Sequence, residues 1–193
     1  NAFSKTTSSS ASSNFFSHFA ADLSSIFSLI CVYNFFAPYS TSPEIDAVAV
    51  VLRVPAHYDI TRDAINAGKH VFTEWPLGRT TEEARQLAAM ARDKGVRTIV
   101  GLQSRANPSV LHMKGLVEAG YVGEVLSCSL RQIGGGVLTR DSGRTWQREV
   151  ELGANTLTIS AGHAIDALRF VVGDFATVSA KITTQVPQWH EVD

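Results

Sequence analysis

Two groups of side chains in this sequence are of a type and spacing that can do chemistry: Glu74-Trp75-Pro76, and His163 with Asp166. The first closes Gly68–Leu77 (GKHVFTEWPL), which reads as a short strand, His70 to Thr73, ending in a polar and aromatic turn. Open parallel sheets bind ligands at the carboxyl ends of their strands, so this turn is a candidate floor for a cofactor. Glu74 is then a ligand contact or a solvated turn carboxylate. Trp75 offers an indole N–H that donates and does not exchange a proton in catalysis. It can stack on a flat ring, close a pocket, or sit in a core beside the turn proline. His163 and Asp166 stand at i and i+3, on one face of a helix. There they line a pocket together, or Asp166 bonds to His163 or Arg169, or caps a neighbouring backbone.

Further candidates follow the same rule of position. Val54-Pro55-Ala56-His57 comes directly after an apolar strand, with Pro55 fixing the turn and His57 beginning a helix. Gln103 and Arg105 lie just past the strand RTIVGL. Asn107 precedes a proline and can cap the next helix. The Gly-rich loop from Gly134 to Glu151 holds Arg140, Arg144, Trp146 and Arg148, as a lid, a partner surface or a plain solvated loop.

The elements that must position these residues are regular from Pro43 onward. Asp46–Leu52 (DAVAVVL) is a continuous apolar run, as in a strand buried on both faces. His57 to Ala67 predicts a helix with Ile60, Ala64, Ile65 and Ala67 inward, closed by Gly68. Thr81 to Lys94 predicts another, with Thr80 and Glu83 as a capping box and Ala84, Leu87, Ala88 and Ala91 inward. Arg97 to Leu102 is the next strand. Strands alternating with helices over tight connections imply right-handed crossovers and a parallel sheet. The unit looks like the second half of a nucleotide-binding domain; the first half should carry a strand and a Gly-rich turn, and no G-x-G-x-x-G precedes Asp46. Gly134-Gly135-Gly136 comes too late and follows the wrong element.

Past Arg105 the rhythm changes. Helices are expected over Pro108–Ala119 and Thr156–Val172. Glu124–Ile133 and Ala176–Gln185 alternate, as strands with one covered face do. The expected fold class is α/β: a partial Rossmann-type parallel sheet, then a truncated α+β domain with an antiparallel sheet. The divisions fall at residues 1–43, 44–106 and 107–193.

Composition narrows the partners. The chain has 193 residues, 45% of them hydrophobic, and a net charge of −1. That gives no electrostatic footprint for direct nucleic-acid binding or for an acidic membrane. Cys31 and Cys128 form no ligand cluster, so neither a disulfide framework nor a metal site is expected, and a reducing compartment is the default. Residues 1–43 stand apart: Ser/Thr-rich from Ser4 to Ser13, aromatic and apolar from Phe15 to Phe36. Ser24–Ala37 is well short of the roughly 20 residues of a membrane span. Lys5 and Ala37-Pro38-Tyr39 make a poor leader and cleavage site. The segment is expected to be non-homologous to the fold, poorly ordered or docked as a hydrophobic helix. It would leave Asp46–Leu52 as an unpaired sheet edge.

Five segments together resemble one family. They are Asp46–Val50 with Val54–His57; Ala67–Leu77; Val100–Arg105 (VGLQSR); Gly120–Val125 (GYVGEV); and Gly162–Leu168 (GHAIDAL). From Glu44 to about Thr184 their order is similar to that of the glucose–fructose oxidoreductase / inositol dehydrogenase / MocA family, and within it to the fungal branch resembling the galactose-regulon repressor. The resemblance implies binding of NAD or NADP, a sugar or polyol substrate, and a second domain that builds a subunit interface in a homo-oligomer. It implies cofactor contacts at Val54, Pro55, His57, Glu74, Trp75 and Gln103, with Arg105 and Asp166 near the substrate. It also implies that about 70 family residues, including the Gly-rich turn, are missing before Glu44.

Two departures bear on catalysis. The family's common turn is Glu-Lys-Pro, whose Lys polarises or deprotonates the substrate hydroxyl; here the position is Trp75. The family's dehydrogenases use a His in the later helix as acid/base, which His163 matches, and an Asp four residues earlier, which is Ile159 here. Loss of such groups costs orders of magnitude in rate. The expectation is therefore an NAD(P)-binding oxidoreductase-family protein acting on a sugar or polyol CH–OH group, with His163 as acid/base. The alternative is a catalytically inactive, cofactor-binding regulator that holds a protein partner, cytoplasmic or, if regulatory, nuclear.

Overall fold

The computed structural model describes residues 29–32, 42–134 and 138–192. Four parallel strands form its sheet in the order of the chain: β1 (Leu29–Val32), β2 (Ala47–Val50), β3 (His70–Glu74) and β4 (Thr98–Gly101). Between them run α1 (His57–Asn66) and α2 (Thr81–Lys94). All four residues of β2 are buried, as the unbroken apolar run requires. Val48, Val50 and Val71 meet Ala64 and Ile65 of α1 and Leu87 and Ala91 of α2 in one core cluster. Ile60, Ala84 and Ala88, expected inward, are only half-buried.

β1 corrects the expectation for the leading segment. Leu29–Val32 pairs with β2 residue by residue, from Leu29 opposite Ala47 to Val32 opposite Val50. The expected open edge is therefore paired over Ala47–Val50. The rest of residues 1–41 lies outside the described residues, with the expectations made for it.

Local chemistry sets the helix ends. Thr80 Oγ1 accepts from Glu83 N–H at 3.1 Å, as a capping residue should. The return bond of a capping box would reach Thr80 N–H; Glu83 instead accepts from Arg79 N–H at 2.7 Å. Gly95 ends α2 in the left-handed region, φ +64°. Asn107 caps α3 (Pro108–Glu118), its side chain accepting from Ser109 N–H at 2.9 Å.

The second half departs from its expected sheet. Glu124–Ile133 and Ala176–Gln185 have no ladder partner among the described residues. Both lie open to solvent, with Leu126 87% and Val178 80% exposed. Alternation marks a covered face only when a neighbouring strand supplies the hydrogen bonds, and none does here. The strand pair that does form is parallel rather than antiparallel: β5 (Thr139–Asp141) with β6 (His190–Val192). β5 falls in the expected Gly-rich loop. The long helix comes in two parts, a π-turn at Leu157–Ala161 and then α4 (Gly162–Val172). No helix among the described residues is long and apolar enough to cross a membrane, and no group of three or more His, Cys, Asp or Glu there could hold a metal ion.

Candidate functional site

The carboxyl ends of β2, β3 and β4 carry the candidate residues, and three turns hold them. After β2 comes a single 3-10 turn, Val54–Ala56, with Val54 buried and Pro55 half-buried. β3 ends in half-buried Glu74, followed by half-buried Trp75 and buried Pro76, with a cis peptide bond at Trp75-Pro76. After β4 comes the 3-10 turn Gln103–Ala106, with Gln103 and Arg105 exposed.

His57 ties two of these turns together. It is buried at 1% exposure, with Nδ1 2.7 Å from the Pro76 carbonyl and Nε2 2.9 Å from the Leu52 carbonyl. Carbonyls only accept, so both contacts are satisfied when the ring carries a proton on each nitrogen. Neither nitrogen is left for a cofactor. His57, expected as a ligand contact, is placed as the clamp between the β2 and β3 turns. Behind it Thr61 Oγ1 and Thr73 Oγ1 share a buried hydrogen bond of 3.0 Å. No sequence signal marks that pair beyond its polarity within apolar runs.

Burial pushes the Glu74 carboxyl above the usual carboxylate range, and the charge of His57 opposes that rise. A desolvated carboxylate at a strand's carboxyl end suits a ligand donor such as a ribose hydroxyl or an amide. Trp75 is engaged elsewhere: its Nε1–H donates to the Thr158 carbonyl at 2.7 Å, joining residues 83 apart in sequence. The indole lies in a recess at Gly162, where a Cβ would stand 2.6 Å from Nε1. The same turn is gripped at its far end, since a Cβ at Gly153 would lie 2.4 Å from Arg79 Cα.

On α4, Asp166 pairs with Arg105, not with His163 or Arg169. Arg105 Nε–H donates to Oδ2 at 2.9 Å and an Nη2–H to Oδ1 at 2.5 Å. Arg169 pairs with Asp174. The Arg105 guanidinium also lies 5.5 Å from the centre of the Phe170 ring. The two expected substrate residues are thus brought together and satisfy each other. His163 is half-buried; desolvation pulls its pKa below the ordinary histidine value, and the Asp166 charge partly restores it. Ile159 lies in the π-turn, four residues before His163.

The turns after β2, β3 and β4 thus carry Val54-Pro55, Glu74-Trp75 and Gln103 at the carboxyl ends of neighbouring strands. A Gly-rich phosphate turn is absent from the described residues.

Comparison with known proteins sets this geometry beside two family models. One describes an oxidoreductase family with an NAD-binding Rossmann fold and matches residues 7–102, so it begins inside the segment expected to be foreign. The other describes the C-terminal domain of Gal80p and matches residues 108–193. The chain is 33% identical over 156 residues to a dehydrogenase, aclE, of Aspergillus oryzae, a match covering 81% of this chain and 43% of that one. To the galactose/lactose metabolism regulatory protein GAL80 of Saccharomyces cerevisiae it is 26% identical over 164 residues, covering 80% and 38%. Among solved structures, a levoglucosan dehydrogenase in complex with NADH and levoglucosan superimposes with a TM-score of 0.64 at 27% identity, over 78% of this chain and 41% of that one. The chain thus spans less than half the length of the curated relatives it matches.

Proposed function

The chain belongs to the glucose–fructose oxidoreductase / inositol dehydrogenase / MocA family, with a C-terminal half of the Gal80p type, and on that premise we propose that it holds a nicotinamide dinucleotide in order to regulate a protein partner rather than to turn over a substrate. One observation carries the reading. The single N–H of Trp75, at the position where the family places its lysine, is spent on the Thr158 carbonyl. It has no donor left to polarise a substrate hydroxyl, and an indole does not ionise near neutral pH to act as acid or base. Ile159 brings no carboxylate to His163, and Asp166 is committed to Arg105.

The cofactor contacts need none of these groups. Glu74, the Val54-Pro55 turn and Gln103 would hold NAD or NADP, and the bound nicotinamide would offer hydride chemistry. The regulatory reading places the whole protein in the cytoplasm or nucleus, as a homo-oligomer with a protein partner.

A second reading has one observation in its favour. His163 is half-buried, and desolvation favours its neutral form, the form a general base needs. It makes the protein a dehydrogenase of a sugar or polyol CH–OH group with His163 as its sole acid/base. The resemblance to a levoglucosan dehydrogenase supports a substrate of that class.

Calorimetry with NAD and NADP, beside a reduction assay over a panel of sugars and polyols, separates the two. Heat of binding without reduction of the cofactor is the expected result. Turnover that disappears in His163→Ala would overturn the regulatory reading in favour of the second.

A further inference from the structure

The helix that carries His163 does not begin as an α-helix. Leu157–Ala161 is a π-turn, closed by Ala161 N–H on the Thr156 carbonyl at 2.9 Å. At its end Gly162 N–H bonds to the carbonyls of Leu157 and Ile159. In an α-helix that N–H would bond to the residue four back, Thr158. The Thr158 carbonyl accepts from the Trp75 indole instead, at 2.7 Å. Gly162 makes the approach possible, because any Cβ there would collide with the indole nitrogen. Asn155 closes the start of the turn, its side chain accepting from Leu157 N–H at 2.9 Å and Thr158 N–H at 3.1 Å.

Register decides which residue lies under His163. An α-helix aligns residues four apart, and a π-turn aligns residues five apart. The α register would set Ile159 beneath the His163 ring. A π register instead relates His163 to the residue five back, Thr158. The rest of α4 is anchored through Arg105 and Asp166, so a change of register falls on residues 155–162.

We propose that Trp75 is the positioning residue of His163: its indole N–H holds the π register of Leu157–Ala161 and so sets the neighbour of the imidazole. The residue that replaces the family's lysine thereby tunes the His163 imidazole through the helix backbone. Without that N–H, the Thr158 carbonyl has a donor at hand in Gly162 N–H, and the turn closes as an α-helix.

The inference rests on the site proposed above, but its readouts come from the ligand-free 193-residue chain. A result against it leaves dinucleotide binding untouched, and a failure to bind dinucleotide leaves it standing. In Trp75→Phe, NMR is expected to show the backbone shifts of residues 157–162 moving to α-helical values. The His163 midpoint should fall further below the ordinary histidine value, as Ile159 comes beside the ring. β-(3-Benzothienyl)alanine at position 75 keeps the bicycle and lacks the N–H; it should reproduce both changes and guards against a folding defect in the phenylalanine variant. Gly162→Ala, which displaces the indole, should do the same. If the folded variants keep the wild-type shifts over 157–162 and the wild-type His163 midpoint, the proposal is overturned.

Discussion

Arg105 and Asp166 hold each other by two parallel hydrogen bonds across 61 residues of sequence, joining the turn after β4 to the middle of α4. Asp166 is 11% exposed in its side chain and Arg105 42%, so the carboxylate is mostly covered while the guanidinium reaches solvent. The pair also couples to His163, one helical turn away, whose pKa the Asp166 charge raises.

Asp166→Asn should cost about 1 kcal/mol of stability, the scale of one charge-assisted pair with a half-exposed partner. Desolvation of His163 would then act with less opposition, and its midpoint should drop further. A histidine NMR titration with an unchanged or higher midpoint would contradict the coupling.

His163 should make the fold acid-sensitive. Its native pKa lies below its unfolded value, so between the two the unfolded chain binds the extra proton. Its contribution to stability is therefore present above the ordinary histidine range and is lost as pH falls through the native value. Denaturant melts of wild type and His163→Ala should differ in slope over that acidic interval and run parallel above it. Equal slopes throughout would exclude the effect.

Glu74 carries the opposite sign. Burial raises its native pKa, so its contribution is full below the unfolded carboxylate value and declines as pH rises through the native one. Glu74→Gln should be more stable than wild type at pH 7, with the gain vanishing in acid, and should bind dinucleotide more weakly. Such a trade of stability for binding is common at ligand sites. A variant less stable at pH 7 would place Glu74 in a structural role instead.

His57→Ala strips the buried Pro76 carbonyl and the part-buried Leu52 carbonyl of their partner and removes a buried side chain. The cost should be about 3 kcal/mol, from unsatisfied polar groups and lost volume together. Thermal or urea unfolding measures it. A loss under about 1 kcal/mol would mean that the two turns do not need the clamp.

The parallel half was legible because its signals are local. The all-apolar run of β2, the Thr80 cap and the glycines after α1 and α2 each act over a few residues. What was missed depends on distance. Arg105 and Asp166 advertise nothing to each other along the chain. His57 looked like a helix-start histidine near a ligand turn, and only the folded Pro76 and Leu52 carbonyls show it as a clamp. Leu29–Val32 is apolar enough for a strand, but it sits in an aromatic stretch that hid it. The segments 124–133 and 176–185 have the alternation of strands without a neighbour to complete them. The π-turn has no sequence mark at all, because it is selected by a side chain 83 residues away.

The recess at Gly162 has a consequence for kinship. An indole fits there only while position 162 lacks a side chain, whereas a flexible lysine at position 75 makes no such demand. The two positions should therefore vary together among relatives. Chains with tryptophan in the turn should keep glycine at the head of the helix, and chains with lysine should tolerate larger residues. An alignment of full-length homologues tests this directly, and the pair would then sort binders from catalysts by two letters of sequence.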